Sequence, residues 1–260
     1  MLFRIVICIL AGVLAGLSTG FAGLSAAAFI APMLVAFLNV PVYDAVGIAL
    51  ASDVLASGVS AFTYAHNGNI DFKHSRALFF IVLICTVAGS ALARFVTSYR
   101  TGDAILSYWS IIGPLGLGIF MLITAGREQK NIGERIGLSR KIFMVLCAAY
   151  IGLVCGFQGS GGGMMLLFTL TVVMLFDFKK AVGTSVFIMT FTALIGAVSH
   201  FLLNGVPDFD LMLICIVSTT VFARIGAAIA NRISPVSLKR ITGAMLTASG
   251  LVLLAVHIFF

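Results

Sequence analysis

The sequence predicts an all-α polytopic membrane protein of two inverted-topology repeats. Each repeat has about five helical segments, two of them short and glycine-interrupted and three of full span. Three observations predict it: an apolar composition, an internal duplication, and the sign of the charge in the loops. Apolar residues make up 61% of the 260 and charged residues 10%, with mean hydropathy +1.16. A soluble domain is about a quarter charged. Runs of about 17–25 apolar residues match a bilayer core of roughly 30 Å, and such runs fill most of the chain. They are continuous rather than alternating, which favours helices over a barrel.

The duplication appears as GLSTGFAG at 16–23 and GLVCGFQG at 152–159, identical at five of eight positions with an offset of 136. The same offset aligns AVG at 45–47 with AVG at 181–183. An offset of 137 aligns GNIDF (68–72) with GVPDF (205–209), and GSALAR (89–94) with GAAIAN (226–231). Four matches in one order make two units, 1–125 and 142–260, joined by a polar linker at 126–141. Internal repeats of this kind are common in secondary transporters.

In the first unit the apolar segments fall at 3–20, 24–38, 44–66, 77–97 and 104–125. The first carries Gly12, Gly16 and Gly20, a spacing by four that suits close helix packing. The second starts near Ser25, directly after GFAG, with no polar loop between. The third opens with AVG and carries Asp53, and the fourth follows GNIDF. In the second unit the segments fall at 141–157, 162–176, 181–203, 210–230 and 238–258, in the same order of short and long.

Charge sets the orientation. The linker carries Arg127, Lys130, Arg135, Arg140 and Lys141, so it is expected in the cytoplasm. Counting outward, the loops with Lys73 and Arg76, with Lys179 and Lys180, and with Arg232, Lys239 and Arg240 fall on that same side, while Arg4, Arg94 and Arg100 fit it poorly. Five segments per unit then place the units in opposite orientations, with both chain ends outside. The apolar N-terminus resembles a signal peptide, but the duplicated GLSTGFAG argues that it is retained. The net charge of +7 is read as orientation signal, not as a nucleic-acid footprint. Five cysteines in apolar segments, without CxxC or Cys/His spacing, are read as buried hydrophobes.

The stretch GFQGSGGG at 156–163 answers what the breaks are for. Glycine costs about 1 kcal/mol against alanine inside a helix. It also allows positive φ and close backbone approach. Each break is therefore read as the start of a new short helix with unpaired N–H groups. Two such ends, brought together, form an anion site whose donors do not titrate. Packing remains the competing explanation for Gly12, Gly16 and Gly20.

Together these motifs resemble the sulfite exporter TauE/SafE family, over essentially the whole chain. The resemblance rests on the duplicated GLxxGFxG, the SGGG after its second copy, the AVG helix starts and the GNIDF-type helix end. It implies a transporter of sulfite, sulfonates or similar small anions across the bacterial inner membrane, with a lipid bilayer as surroundings and no cofactor. The expected substrate-binding residues are Gly20, Phe21, Gly23, Ser25, Gly156, Phe157, Gln158, Gly159, Ser160, Gly161, Gly162, Thr184, Ser185 and Arg224. Asp53 and His200 are candidates for ion coupling or charge balance, with an Asp53–Arg224 pair as the structural alternative. Homo-oligomer formation stays open. An anion channel would use the same breaks, and an assembly protein would have no need of them. No enzymic activity is expected: HExxH and the P-loop pattern are absent. A serine protease would need a GxSxG serine with a histidine partner.

Overall fold

A computed structural model describes residues 2–96, 115–126, 137–158 and 161–259. All regular elements among them are helical. Helix α1 covers Leu2–Ala22, and a single 3₁₀ turn at Ala26–Ala28 leads into the short α2, Ile30–Leu38. The long α3 (Val42–His66) and α4 (Phe72–Val96) follow, then α5, Leu115–Thr124. The second unit repeats the order: α6 (Leu138–Gln158), the short α7 (Gly163–Phe168) running into a π-helical stretch at Thr169–Val173, α8 (Phe178–Asn204), α9 (Phe209–Arg232) and α10 (Pro235–Phe259). Six of the described helices are long and apolar enough to cross a membrane. The 25 residues of α3 span roughly 37 Å at 1.5 Å per residue.

The duplication is visible in the backbone. Asn39 and Leu175, an offset of 136 apart, are the two non-glycine residues at positive φ among those described (φ 51° and 57°). Each follows a short helical limb. Val40 N–H donates to Leu34 O, and Phe176 N–H to Leu170 O, so both limbs close on the same bond to a carbonyl six residues back. Gly68 and Gly205, an offset of 137 apart, share positive φ as well.

Glycine sets how the helices meet. A methyl group at Gly16 would lie 2.8 Å from Ala223 N, and at Gly20 2.6 Å from Ala227 N, so α1 lies backbone to backbone along α9. In the second unit, methyls at Gly152 and Gly156 would meet Cys85 and Ser90, so α6 lies likewise along α4. The contacts are reciprocal: Gly226 faces Leu17 O, and its counterpart Gly89 faces Leu153 O. Both pairs run parallel, since residue numbers rise together. The equivalent helices α3 and α8 instead run antiparallel: Gly47 meets His200, Gly58 meets Thr190, and Gly183 meets Tyr64. Van der Waals packing of small residues is what holds helices together where the surroundings are as apolar as the core.

The short limbs are return limbs. α1 and α3 both run parallel to α9: Gly20 sits at Ala227, Ser60 Oγ donates to Ala223 O, and Asn69 bonds Asn231. Two consecutive long helices can point the same way only if the chain doubles back between them. That return is α2, and α7 with its π stretch occupies the matching place. Ile30 and Leu34 of α2 are buried in one cluster with Cys8, Ala11 and Ala15 of α1 and Ile48 and Ala49 of α3. Seryl and threonyl hydroxyls on the long helices mostly bond their own carbonyls four residues back, as Ser18, Ser52, Thr86 and Thr219 do.

Candidate functional site: two helix breaks that meet

The first break starts where α1 ends. Gly23 takes φ +64°, a conformation glycine enters without strain, and its N–H donates to Thr19 O at 2.9 Å. Two side chains from other helices fix the end of α1. Tyr64 of α3, fully buried, donates its hydroxyl to Gly20 O at 3.0 Å, and Thr242 of α10 donates to Phe21 O at 3.4 Å. Thr19 itself donates to Leu24 O at 2.7 Å across the bend. These bonds satisfy carbonyls that a helix end would otherwise leave open.

The second break follows the end of α6 at Gln158; Gly159 and Ser160, like the side chain of Gln158, lie outside the described residues. Gly161 is held by Thr192 of α8, whose hydroxyl donates to Gly161 O at 3.0 Å. Gly162 has φ +67° and caps α7; a side chain there would collide with Cys155.

The two breaks touch. Gly161 N–H donates to Ser25 Oγ at 3.4 Å, and these residues are 136 apart, the repeat offset itself. Two residues away on each chain segment, a methyl on Gly163 would overlap Gly23 O and lie 2.9 Å from Gly23 C. Backbone therefore meets backbone, with no room for a Cβ. Among the expected residues, Gly23, Ser25, Gly161 and Gly162 are brought together here.

Asp53 is the residue the breaks share. It sits midway along α3, fully buried. Ser25 donates its hydroxyl to Asp53 Oδ2, and Ala26 N–H donates to Asp53 Oδ1. Ser25 Oγ in turn accepts from Ala27 N–H at 3.3 Å. The expectation of unpaired donors at both breaks is thus corrected at the first: its leading N–H groups are taken by a carboxylate and a hydroxyl of this same chain. A negative group at a helix start satisfies orphan donors and the positive dipole end together. The corresponding position in the second unit, 136 residues on, is Met189. Its thioether packs over Gly161 and Gly163 and accepts hydrogen bonds only weakly.

Other expected residues go elsewhere. Gly20 and Gly156 serve helix packing, since a Cβ on either would strike the neighbouring backbone. Phe157 faces outward. Thr184 accepts from Asp71 N–H at 3.1 Å and so fixes the start of α4 rather than a break. Ser185 bonds its own Val182 O at 2.8 Å, yet its hydroxyl borders Gly23. His200 stacks edge-on with Phe201 and lies against Gly47. Arg224 is exposed in an open groove of about 460 Å³ between α3 and α9, with Phe62, Thr63, His66 and Asn67. It forms no pair with Asp53, because it leaves α9 on the outward side. Asp53 has no cationic partner among the described residues. The spelling GxSxG does occur once, at Gly16–Gly20, but Ser18 lies buried inside α1 and donates to Leu14 O and Ala15 O. It is a helix residue, not a nucleophile at a turn. Among the described residues, no group of three or more potential ligands could hold a metal ion.

Sequence reasoning missed Tyr64 and Thr192 as the side chains that pin the breaks. For Tyr64 the signal was present: it occupies the position equivalent to His200, near the end of a long helix.

Crossing helices broken in pairs, with the breaks meeting in a buried interior, define a multi-pass helical membrane protein of the transporter class. The sequence model of the family described as sulfite exporter TauE/SafE matches residues 8–253, and the chain belongs to that family. It is 25% identical over 246 residues to the probable membrane transporter protein YdhB of Bacillus subtilis, covering 93% of this chain and 96% of that one. It is similar also to the probable membrane transporter protein YunE of Bacillus subtilis, at 24% identity over 98% of each chain. A third relative is the probable membrane transporter protein MJ0441 of Methanocaldococcus jannaschii, at 25% identity over 95% of this chain and 94% of that one. No solved structure matches. The protein is a membrane transporter and not an enzyme.

Proposed function

We propose that this transporter moves small sulfur-containing or organic anions, such as sulfite or sulfonates, across the bacterial inner membrane. The observation that carries the reading is the meeting of the two breaks at Ser25 and Gly161, residues at equivalent positions of the two units. Where equivalent breaks converge, the Ser25 hydroxyl of one unit and the Gly161 N–H of the other meet at one point, neutral groups that suit an anion once they turn from their present partners, without a fixed cation. The family's description as sulfite exporter agrees with this substrate class. The two units, 1–125 and 142–260, are inverted repeats related by an axis in the membrane plane, and the 126–141 linker faces the cytoplasm. The antiparallel course of α3 against α8 supports the inversion, and the basic loops support the orientation. Alternating access then consists of the two units rocking about the breaks.

Purified protein in proteoliposomes tests this. Saturable uptake of labelled sulfite or methanesulfonate, inhibited by other sulfonates, is expected. Uptake that rises linearly with concentration would point to a channel, and uptake no faster than in empty vesicles would remove these anions as substrates.

A further inference from the structure

Asp53 stands between the two breaks with no cationic partner among the described residues. Its carboxylate takes Ser25 O–H and Ala26 N–H of the first break. It also borders the second: a methyl on Gly161 would lie 3.2 Å from Asp53 Oδ2. On the other side of the meeting point the equivalent residue is the neutral Met189. The acidic group is therefore one-sided, and it sits where the reading above places an anion. We infer that Asp53 is an internal stand-in for the substrate, and that the anion enters together with one proton, which goes onto the Asp53 carboxylate. The inference rests on that anion reading.

The surroundings leave Asp53 as the group to take the proton. Its neighbours at the meeting point are Ser25, Gly161, Met189 and Thr192, none of which titrates. Across the packed elements, α2 carries no charge, and α1 carries Arg4 near its start and the thiol of Cys8. α8 carries Lys179 and Lys180 at one end and His200, against Gly47, towards the other. α9 carries Asp210 and Arg232 at its ends, Arg224 in the outer groove, and Cys215. The remaining titratable groups on neighbouring turns are Cys155, which lies against Gly162, and Tyr64, which is bonded to Gly20 O. A carboxylate beside an incoming anion opposes it, since like charges at one site disfavour each other's ionised forms. Proton uptake cancels that repulsion and loosens the hold on Ser25 and Ala26 N–H, whose donors then face the anion. The entering pair, one anion and one proton, carries no net charge.

Methanesulfonate is the probe, because it does not itself titrate near neutral pH. Its binding to the full-length protein in detergent is followed by calorimetry in two cationic buffers of different ionisation enthalpy. Uptake of about one proton per anion is expected. The dissociation constant should weaken as pH rises, by up to about tenfold per pH unit. Asp53→Asn should bind with no proton uptake and no pH dependence, and Asp53→Glu should keep the uptake. Tight binding by the unaltered protein with no proton uptake would overturn the inference and leave the anion site standing. Retained uptake in Asp53→Asn would also overturn it. Should Asp53→Asn not fold, the proton count of the unaltered protein and of Asp53→Glu decides. Absence of binding of both methanesulfonate and sulfite would instead bring down the anion reading, and the proton linkage with it.

Discussion

Gly163→Ala is the smallest change that probes the meeting of the breaks. The added methyl would overlap Gly23 O, lie 2.9 Å from Gly23 C and lie 2.7 Å from Met189 Sδ. Carbon atoms rest about 3.5–4.0 Å apart, so clearing Gly23 C alone separates the two breaks by roughly 1 Å, and clearing Gly23 O requires more. Overpacking a tight site costs about 1–3 kcal/mol. The upper end applies, because one wall is backbone and cannot rotate away. Gly161→Ala is the internal comparison: its methyl would meet Met189 Cγ at 2.8 Å and Sδ at 3.1 Å. A thioether on three rotatable bonds yields more easily, so about 1 kcal/mol is expected there. For a chain of this length about 3 kcal/mol corresponds to a melting shift of roughly 6–12 °C. Thermal unfolding in detergent, read beside uptake in proteoliposomes, measures both consequences. Gly163→Ala should melt lower than Gly161→Ala and lose most uptake. If Gly163→Ala melted and transported like the unaltered protein, the close approach of the two breaks would be refuted.

Tyr64→Phe should cost about 1 kcal/mol or somewhat more, since it leaves the buried Gly20 O without its donor; unchanged thermal stability would show that water or another donor replaces it. Gly156→Ala places a methyl 2.6 Å from Ser90 N and should lower stability while leaving the order of preferred anions unchanged; an altered anion order would move Gly156 from packing to the site. A cysteine placed in the 126–141 linker should be protected from a membrane-impermeant thiol reagent in intact cells, and labelling without lysis would reverse the orientation.

The fold was legible where the signal is local. Segment order followed from apolar runs and glycine, and both breaks lie where GFAG and GFQGSGGG lie, because the backbone needs positive φ at Gly23 and Gly162. The two offsets, 136 and then 137, appear in the backbone as the Asn39–Leu175 and Gly68–Gly205 pairs. The site was legible only in part. Asp53 and Ala26 are 27 residues apart, and nothing in either segment alone announces that one caps the other. Arg224 and Asp53 carry opposite signs in neighbouring helices, but helical phase sends Arg224 outward. Thr184 is drawn to Asp71 N–H because the start of α4 also needs an acceptor, a need that a count of polar residues near the breaks does not weigh.

The contact between Ser25 and Gly161 has a consequence for how many charges the centre can hold. Were the two units separate, identical chains, every substitution at the meeting point would be made twice and would face its own copy. An aspartate at position 53 would then confront a second aspartate, two buried negative charges sharing one small space. Joined in a single chain, the two positions vary independently, and Asp53 faces Met189 instead. The tether between the units thus lets two equivalent positions differ in charge, which two identical chains could not do.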